Sequence, residues 1–289
     1  MFLALLKTMR PRQWLKNGFL FAGLIFDRQL TNPLAFLHTC LGLLLFCLIS
    51  SAVYIFNDLA DIEADRQHPK KRLRPIPAGQ ITIKTARLAA LLFIVVSFPL
   101  AFWLSRGFGW IALVYMVVNL AYSLKLKHIP ILDVLVLASM YVLRVGAGVE
   151  LIQVTSFSPW LYIFTTFLAL FLGVGKRRAE LNLLPNGENN QRPVLSGYTL
   201  PFLDQLITIV SGMTLITYSM YTFSADNQPG NHTMMLTIPF VIYGIFRYLY
   251  LVQVKHSGEA PEEILLSDHP FQAAIFLWGV TILTIFYLM

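Results

Sequence analysis

Residues 41–79 read LGLLLFCLISSAVYIFNDLADIEADRQHPKKRLRPIPAG, an apolar run that is followed at once by a charged segment. The apolar part, residues 41–56, contains no ionisable side chain other than tyrosine and cysteine. Such a run is typical of a helix that crosses a membrane. Ionisable groups beside a lipid layer are costly unless they have partners, so the charges that begin at Asp58 indicate a functional site. The alternative is a solvated loop, acidic and then basic, at the end of a helix.

Three aspartates come first, at a spacing that a helix would gather on one face. Asp58, Asp61 and Asp65 occupy positions i, i+3 and i+7, and Asn57 lies one turn before Asp61. Carboxylates this close repel one another, and low-dielectric surroundings screen the repulsion only weakly. A divalent cation removes the repulsion, and oxygen ligands favour Mg2+, which often takes a substrate phosphate as a further ligand. The spacing therefore predicts a magnesium site on these three aspartates.

Basic residues follow the aspartates directly, and their side chains suit the oxygens of a phosphate that a metal leaves uncovered. They are Arg66, Lys70, Lys71, Arg72 and Arg74. Together with the aspartates they predict a substrate that carries phosphate groups.

The composition excludes an ordinary soluble domain. The 289 residues are 56% hydrophobic and 13% charged, and the mean hydropathy is +0.64. Apolar segments recur at membrane length, which predicts an all-α polytopic membrane protein with nine transmembrane helices in a single domain, 1–289. The predicted spans are about 13–29, 35–57, 84–104, 107–125, 130–150, 158–175, 200–223, 234–253 and 269–288.

The distribution of basic residues predicts the orientation in the cytoplasmic membrane. All but Arg28, Arg106 and Arg144 of the 22 lysines and arginines fall on one side of the predicted spans. The positive-inside rule places that side, with the N-terminus, in the cytoplasm and the C-terminus outside. The net charge of +7 is then a topology signal, and no nucleic-acid partner is expected. The loops after spans 2 and 6 are long and charged, and predict a cap over a cytoplasm-facing cavity.

Two further segments combine basic and polar residues near the ends of spans. Residues 10–17 read RPRQWLKN, and Lys16 and Asn17 lie beyond Trp14, where a charge that only anchors the chain is less favourable. Tyr122 and Lys125 end span 4, and Lys125 either reaches the headgroups or binds phosphate. Within span 5, Asp133 could pair with a lysine at the end of span 4. Arg144 lies deeper and needs an acidic or carbonyl partner.

The first motif, N-D-x-x-D-x-x-x-D followed by R-P, resembles the first aspartate-rich motif of the UbiA superfamily of intramembrane prenyltransferases. Three other strings resemble one branch, the decaprenyl-phosphate phosphoribosyltransferases: R-P-x-Q-W-x-K-N at 10–17, G-K-R-R-A-E-L at 175–181 and Y-S-M-Y at 218–221. The resemblance implies Mg2+-dependent transfer of 5-phosphoribose from 5-phosphoribosyl 1-diphosphate to a polyprenyl phosphate, within membrane lipids. It implies substrate binding by Lys16, Asn17, Asn57, Arg66, Lys71, Arg72, Arg74, Tyr122, Lys125, Lys176, Arg177, Arg178 and Glu180.

One departure from the superfamily pattern bears on the substrate. Most members carry a second aspartate-rich motif after span 6, which binds a second Mg2+ on a prenyl diphosphate. Here the corresponding residues 173–181 contain one acid, Glu180, beside three cations. The alternative function, transfer of a prenyl group from its diphosphate to an aromatic acceptor, requires that missing motif. A transporter without catalysis is a third possibility, but it would favour charges at the midplane rather than on one face.

Overall fold

The computed structural model describes residues 2–69, 71–152, 154, 158–182, 193–224, 232–255 and 261–288. These residues form helices and no strand, which confirms the all-α fold. The helices are α1 (Phe2–Thr8), α2 (Phe21–Phe26), α3 (Pro33–Ala60), α4 (Ile62–Gln67), α5 (Ile83–Leu104), α6 (Arg106–Leu124), α7 (Leu132–Val149), α8 (Pro159–Asn182), α9 (Leu200–Ser224), α10 (Ile238–Gln253), α11 (Pro261–Ser267) and α12 (His269–Tyr287).

Eight helical segments of the described chain are long and apolar enough to cross a membrane. Seven of them are single α-helices, and the eighth, Thr233–Gln253, begins with a 3₁₀ turn before α10. Short polar side chains set several of the starts: Asn32 caps α3, Thr82 caps α5 and Ser105 caps α6, each by accepting hydrogen bonds from backbone N–H groups of the first turn.

The first predicted span, residues 13–29, is built differently from these eight. Residues Pro11–Leu20 form a 3₁₀ helix, which α2 continues. A 3₁₀ helix rises ~2.0 Å per residue and an α-helix ~1.5 Å, so the two segments would reach about 29 Å if they ran straight. That length is close to the ~30 Å hydrocarbon core of a bilayer. Since neither segment alone has membrane length, the count of nine transmembrane helices stays a prediction.

The chain divides into two compact units: Met1–Leu126 with Leu143–Val154, and Lys127–Val142 with Thr155–Met289. The prediction of one domain over the whole chain is not tested by this division. The loop after α3 is described except for Lys70, whereas the loop after α8 falls largely outside the described residues. The predicted cap therefore stays a prediction.

In the first unit, α3 packs against α5, α6 and the 3₁₀ helix Pro11–Leu20. The loop that follows α3 packs against α3 and α5. Ile76 and Ile81 of this loop are buried beside Ala52 and Ile55 of α3. The apolar side chains of the loop thus fix its charged residues close to the end of α3.

In the second unit, α8 packs along α9, and α10 packs on α8, α9 and α12. Its core includes Phe171 of α8, Leu203 and Ile207 of α9 and Tyr248 of α10. Gly175 of α8 faces the Tyr248 ring so closely that an added Cβ would lie 2.7 Å from it. The glycine therefore permits the close approach of α8 and α10 directly before Lys176.

Candidate active site

The three predicted metal ligands lie where α3 gives way to α4. Asp58 is in the last turn of α3 and Asp65 is in α4, and both are buried. Asp61 lies between the helices with φ −98° and ψ 14°, so the predicted single helix is broken there. Asp61 is half-buried. The break brings the buried side chains of Asp58 and Asp65 together, whereas Asp61 remains half-buried.

One arginine joins the two buried carboxylates. Nη1 of Arg74 lies 3.1 Å from Oδ1 of Asp58 and 2.6 Å from Oδ2 of Asp65. Nζ of Lys71 lies 3.7 Å from the other oxygen of Asp65. The structure thus brings together four of the predicted site residues, two acids and two cations.

The turn after α4 places Arg74. Pro75 and Ile76 are buried, and the backbone N–H of Ala78 donates to the Arg74 carbonyl oxygen at 2.9 Å. Gly79 has φ 73°, a conformation that a residue with a side chain adopts at a cost. The R-P-x-P-x-G pattern therefore forms a partly buried turn that positions Arg74 beside the two aspartates.

Arg10 is a site residue that the sequence interpretation did not assign. Its guanidinium forms an ion pair with Oδ1 of Asp58, the oxygen that Arg74 also contacts. Its Cζ lies 5.1 Å from the centroid of the Tyr54 ring, in the range of a cation–π interaction. The signal available in the sequence was the place of Arg10 as the first residue of the basic and polar segment 10–17.

Residues 9–17, here called the N-terminal strap, run along the face of α3 that leads to Asp58. The Trp14 indole donates to Ser51 Oγ at 3.1 Å, and the Asn17 amide lies 3.3 Å from both Ser50 Oγ and Cys47 Sγ. Contacts at positions 47, 50 and 51, then 54 and 58, follow the helical repeat of one face. The strap therefore delivers Arg10 to Asp58 in a fixed register.

Arg144 has the polar partners that a buried cation in a membrane helix requires. Its Nε donates to Asn17 Oδ1 at 2.9 Å and one Nη donates to the Tyr115 hydroxyl at 2.8 Å. Its Cζ lies over the rings of Tyr115 and Phe46. The predicted acidic or carbonyl partner is thus an amide oxygen, and Asn17, predicted to contact substrate, has its side chain committed to this buried network.

The other predicted residues of the first unit differ in accessibility. Asn57 accepts a hydrogen bond from Ser123 at 2.5 Å, which ties α3 to α6. Arg66 pairs with Glu63 at 2.9 Å in solvent. The remaining predicted contacts are exposed or half-buried, namely Lys16, Arg72, Tyr122 and Lys125. Lys70 lies outside the described residues.

The donor set at Asp58 and Asp65 suits Mg2+, because both residues offer carboxylate oxygens. Because both oxygens contact the same Arg74 nitrogen, they cannot be farther apart than the sum of those two contacts. Two oxygens on opposite sides of Mg2+ are about 4 Å apart, so both would reach one ion if the Arg74 nitrogen that bridges them gave up its place. No group of three or more acidic, histidine or cysteine side chains among the described residues is arranged to hold a metal. Mg2+ commonly uses one or two carboxylates with substrate phosphates, so the pair suffices.

In the second unit, Arg177 is bound on both sides by acids. Its Nε lies 2.6 Å from Asp133 of α7 and its Nη1 lies 2.5 Å from Glu180. Arg177 and Asp133 are both buried. The sequence suggested a lysine partner for Asp133, whereas the structure gives it Arg177.

Arg178 is also engaged within the unit. Its Nε lies 2.6 Å from Asp204 of α9, and its Nη1 donates to the Val252 carbonyl oxygen of α10 at 3.2 Å. Two of the three cations in the second motif thus hold helices together, while Lys176 is half-buried.

Tyr198 completes the buried network around Asp133. Its hydroxyl donates to Asp133 at 2.6 Å and accepts from the backbone N–H of Ile131 at 2.5 Å. Burial, followed by the hydrogen bond to Asp133, raises the pKa of Tyr198 above its usual range, so the phenol stays protonated. Ile131 has φ 69°, a strained conformation for a β-branched residue, and this network holds it in place.

Comparison with known proteins gives the family. The model of the UbiA prenyltransferase family matches residues 18–182, which include the end of α3, the turn of Arg74 and the residues Asp133, Arg177 and Glu180. The chain is a member of the UbiA prenyltransferase family. Like its family, it is an integral membrane protein.

Relatives within the UbiA family match nearly the whole chain. The decaprenyl-phosphate phosphoribosyltransferase of Mycolicibacterium smegmatis is 33% identical over 96% of this chain and 91% of its own length. The Mycobacterium tuberculosis protein of the same name is 33% identical over 96% and 92%. A UbiA homologue from Archaeoglobus fulgidus, solved with GPP and Mg2+, has a TM-score of 0.75 at 21% identity and covers 98% of this chain and 99% of its own. The likeness to that structure confirms the fold.

Proposed function

We propose that this protein transfers 5-phosphoribose from 5-phosphoribosyl 1-diphosphate to a polyprenyl phosphate of the decaprenyl type and releases diphosphate. The observation that carries this proposal is the match, over 96% of the chain, to proteins named decaprenyl-phosphate phosphoribosyltransferases. The segment 173–181 supports it, since it holds cations in place of the aspartates that a prenyl diphosphate donor would need.

The reaction joins two phosphate-bearing substrates. An oxygen of the lipid phosphate forms a bond to ribose C1, and the bond from C1 to the diphosphate breaks with its electron pair leaving on the diphosphate. The phosphate oxygen is already anionic at neutral pH, so the step requires no general base. The protein must instead offset the charge that gathers on the departing diphosphate and hold the two substrates in line.

Asp58 and Asp65 would hold Mg2+, and Asp61 stays a predicted third ligand on the basis of its motif alone. When bound, the ion neutralises charge on the diphosphate and stabilises it as a leaving group. Solved UbiA homologues with Mg2+ and a prenyl diphosphate support a divalent ion in this fold.

The protein's own cations divide into two groups in this proposal. Arg10, Lys71 and Arg74 contact the paired carboxylates and are partly exposed, which supports a role for them in binding diphosphate oxygens. Lys16, Arg72, Lys125 and Lys176 stay candidates for the ribose 5-phosphate and the lipid phosphate on the basis of their motifs. Arg177 and Arg178 position helices, because their charges are already met by acids.

The distribution of basic residues supports an active site on the cytoplasmic side, with the N-terminus there and the C-terminus outside. A water-soluble sugar diphosphate would then reach the site from the cytoplasm, and the polyprenyl tail would stay among apolar helices in the bilayer.

The proposal is tested with purified protein, Mg2+, 5-phosphoribosyl 1-diphosphate and decaprenyl phosphate, with diphosphate release and the lipid product both measured. We expect equal amounts of diphosphate and of a lipid whose mass has increased by one phosphoribosyl group. Release of diphosphate from a prenyl diphosphate with an aromatic acid, and none from the phosphoribosyl donor, would establish the alternative function instead.

The role of the carboxylates is tested by Asp65→Asn, with Glu63→Gln of the same helix as the matched control. Loss of a metal ligand removes several kcal/mol of leaving-group stabilisation, so we expect kcat to fall by about 100-fold or more. Glu63 is exposed and contacts Arg66 in solvent, so its variant should stay within about twofold of the unchanged protein. Equal activity of both variants at saturating Mg2+ would remove Asp65 from the metal site.

A further inference from the structure

One oxygen of Asp58, Oδ1, already has two arginine donors. Oδ1 of Asp58 accepts from both Arg10 and Arg74, and a carboxylate oxygen offers two lone pairs. Nη1 of Arg74 also contacts Asp65 at 2.6 Å. A cation cannot take this oxygen unless at least one guanidinium leaves it.

Both arginines are able to leave, because their side chains reach the carboxylates from outside. The side chains of Arg10 and Arg74 are 27% and 32% exposed, whereas those of Asp58 and Asp65 are 1% and 2% exposed. The Tyr54 ring would keep the Arg10 guanidinium near the site after it released Asp58. The backbone turn that carries Arg74 would likewise keep its side chain within reach.

We propose that Arg10 and Arg74 are internal competitors of the metal ion. In the substrate-free protein they hold the carboxylates of Asp58 and Asp65, and they turn to the phosphate oxygens of the substrate when a divalent cation takes those carboxylates. This inference rests on the proposed function, since it concerns how the metal ion and the substrate phosphates enter the same site.

The exchange couples metal and substrate binding. A divalent cation placed beside two guanidinium groups meets repulsion that only an arriving anion relieves. By linkage, each of the two ligands then raises the affinity of the site for the other. The substrate-free protein would bind the metal weakly, and the diphosphate and the metal would bind together.

The test is the affinity of the substrate-free, purified protein for Mn2+, followed by the electron paramagnetic resonance signal of the free ion. Arg74→Gln removes the competitor that bridges both carboxylates, so we expect Mn2+ to bind about tenfold more tightly or better, because two charge-assisted contacts no longer oppose it. Turnover by the same variant should fall, since its diphosphate contact is lost. Arg10→Gln leaves Arg74 in place. It should therefore also bind Mn2+ more tightly and turn over more slowly, but both changes should be smaller than for Arg74→Gln.

Arg87→Gln is the matched control, because Arg87 is an exposed arginine of α5 in the same unit. Removal of this charge should change Mn2+ affinity by less than about twofold, as screening predicts. Asp65→Asn combined with Arg74→Gln should abolish the gained affinity, which locates the ion at this site.

Thermal unfolding gives a second measurement that does not depend on turnover. Arg74→Gln should lower Tm in the absence of divalent ions, and Mn2+ should restore it by more than it stabilises the unchanged protein. If Arg74→Gln binds Mn2+ no better than the unchanged protein, or not at all, the competition is refuted. Phosphoribosyl transfer by the unchanged protein would still establish the proposed function in that case.

Discussion

Arg177→Gln is expected to unfold the second unit at a lower temperature rather than to weaken substrate binding. The side chains of Arg177 and Asp133 are 1% and 0% exposed, and the guanidinium lies 2.6 Å from Asp133 and 2.5 Å from Glu180. Glutamine removes the charge and leaves Asp133 buried with Tyr198 as its remaining hydrogen-bond donor among the contacts described here. The folded state is then destabilised, because the buried Asp133 carboxylate has lost the cation that neutralised it.

Removing one partner of a buried ion pair costs about 3–5 kcal/mol. In domains of 150–250 residues, about 1 kcal/mol shifts Tm by roughly 2–4 °C. We therefore expect Arg177→Gln to lower Tm by about 10 °C. Asp133→Asn leaves Arg177 with Glu180, so its effect should be smaller, and the double variant should be less destabilised than the sum of the single changes.

The assay is thermal unfolding in detergent at one fixed scan rate, because membrane proteins commonly unfold irreversibly and Tm then depends on that rate. KM for both substrates is measured below the Tm of each variant. We expect KM to stay within about twofold for Arg177→Gln, since a residue that makes no substrate contact should not alter binding.

The opposite combination would refute this reasoning. A Tm within about 2 °C of the unchanged protein, together with a KM raised tenfold or more, would show that the guanidinium binds a phosphate instead of the acids. Additive effects of Arg177→Gln and Asp133→Asn would show that the two side chains do not depend on each other.

Arg144→Met should lower both Tm and activity, because Asn17 and the N-terminal strap lose their buried hydrogen-bond partner. Arg144→Lys should not restore Tm or activity, since lysine lacks the planar guanidinium that reaches both Asn17 and Tyr115. A lysine variant with normal Tm would contradict this. The hydrogen bonds from Arg247 hold the pKa of Asp268 below its ordinary value of 3.8. The Arg247–Asp268 pair therefore stabilises the folded protein at pH values above 3.8, and this stabilisation is lost as the pH falls below 3.8 and the carboxylate is protonated. Asp268→Asn should flatten the fall of Tm in this acidic range, and superimposable curves would argue against it.

The sequence predicted the membrane helices well because their signal is local. An apolar run of membrane length is sufficient to specify a helix in lipid, where every backbone polar group must be satisfied within the segment. The predicted spans from 35–57 onward each correspond to a helix, and their ends agree within three residues except that the helix predicted at 158–175 continues to Asn182. The span predicted at residues 13–29 is instead a 3₁₀ helix followed by a short α-helix. Hydropathy does not distinguish these two kinds of helix.

The contacts of the charged residues could be predicted only in part. The spacing of Asp58 and Asp65 with Arg74 is local, and the structure joins these three side chains. The break at Asp61 was not visible, because the i, i+3, i+7 spacing is equally compatible with one continuous helix. Arg10 comes to Asp58 across 48 positions of the chain, through the packing of the strap on α3.

Both motifs contain clustered cations, and the partners of their arginines distinguish them. Arg177 finds Asp133 at a separation of 44 residues and is 1% exposed, whereas Arg74 also contacts acids but keeps 32% of its side chain exposed. A cation that is fully enclosed by acids holds the protein together, because releasing it would leave a buried charge without a partner. A cation that reaches buried acids from the surface can exchange them for a phosphate at much lower cost. Partial exposure, rather than the presence of an ion pair, is therefore the property on which we propose a substrate role for Arg74 and a structural role for Arg177.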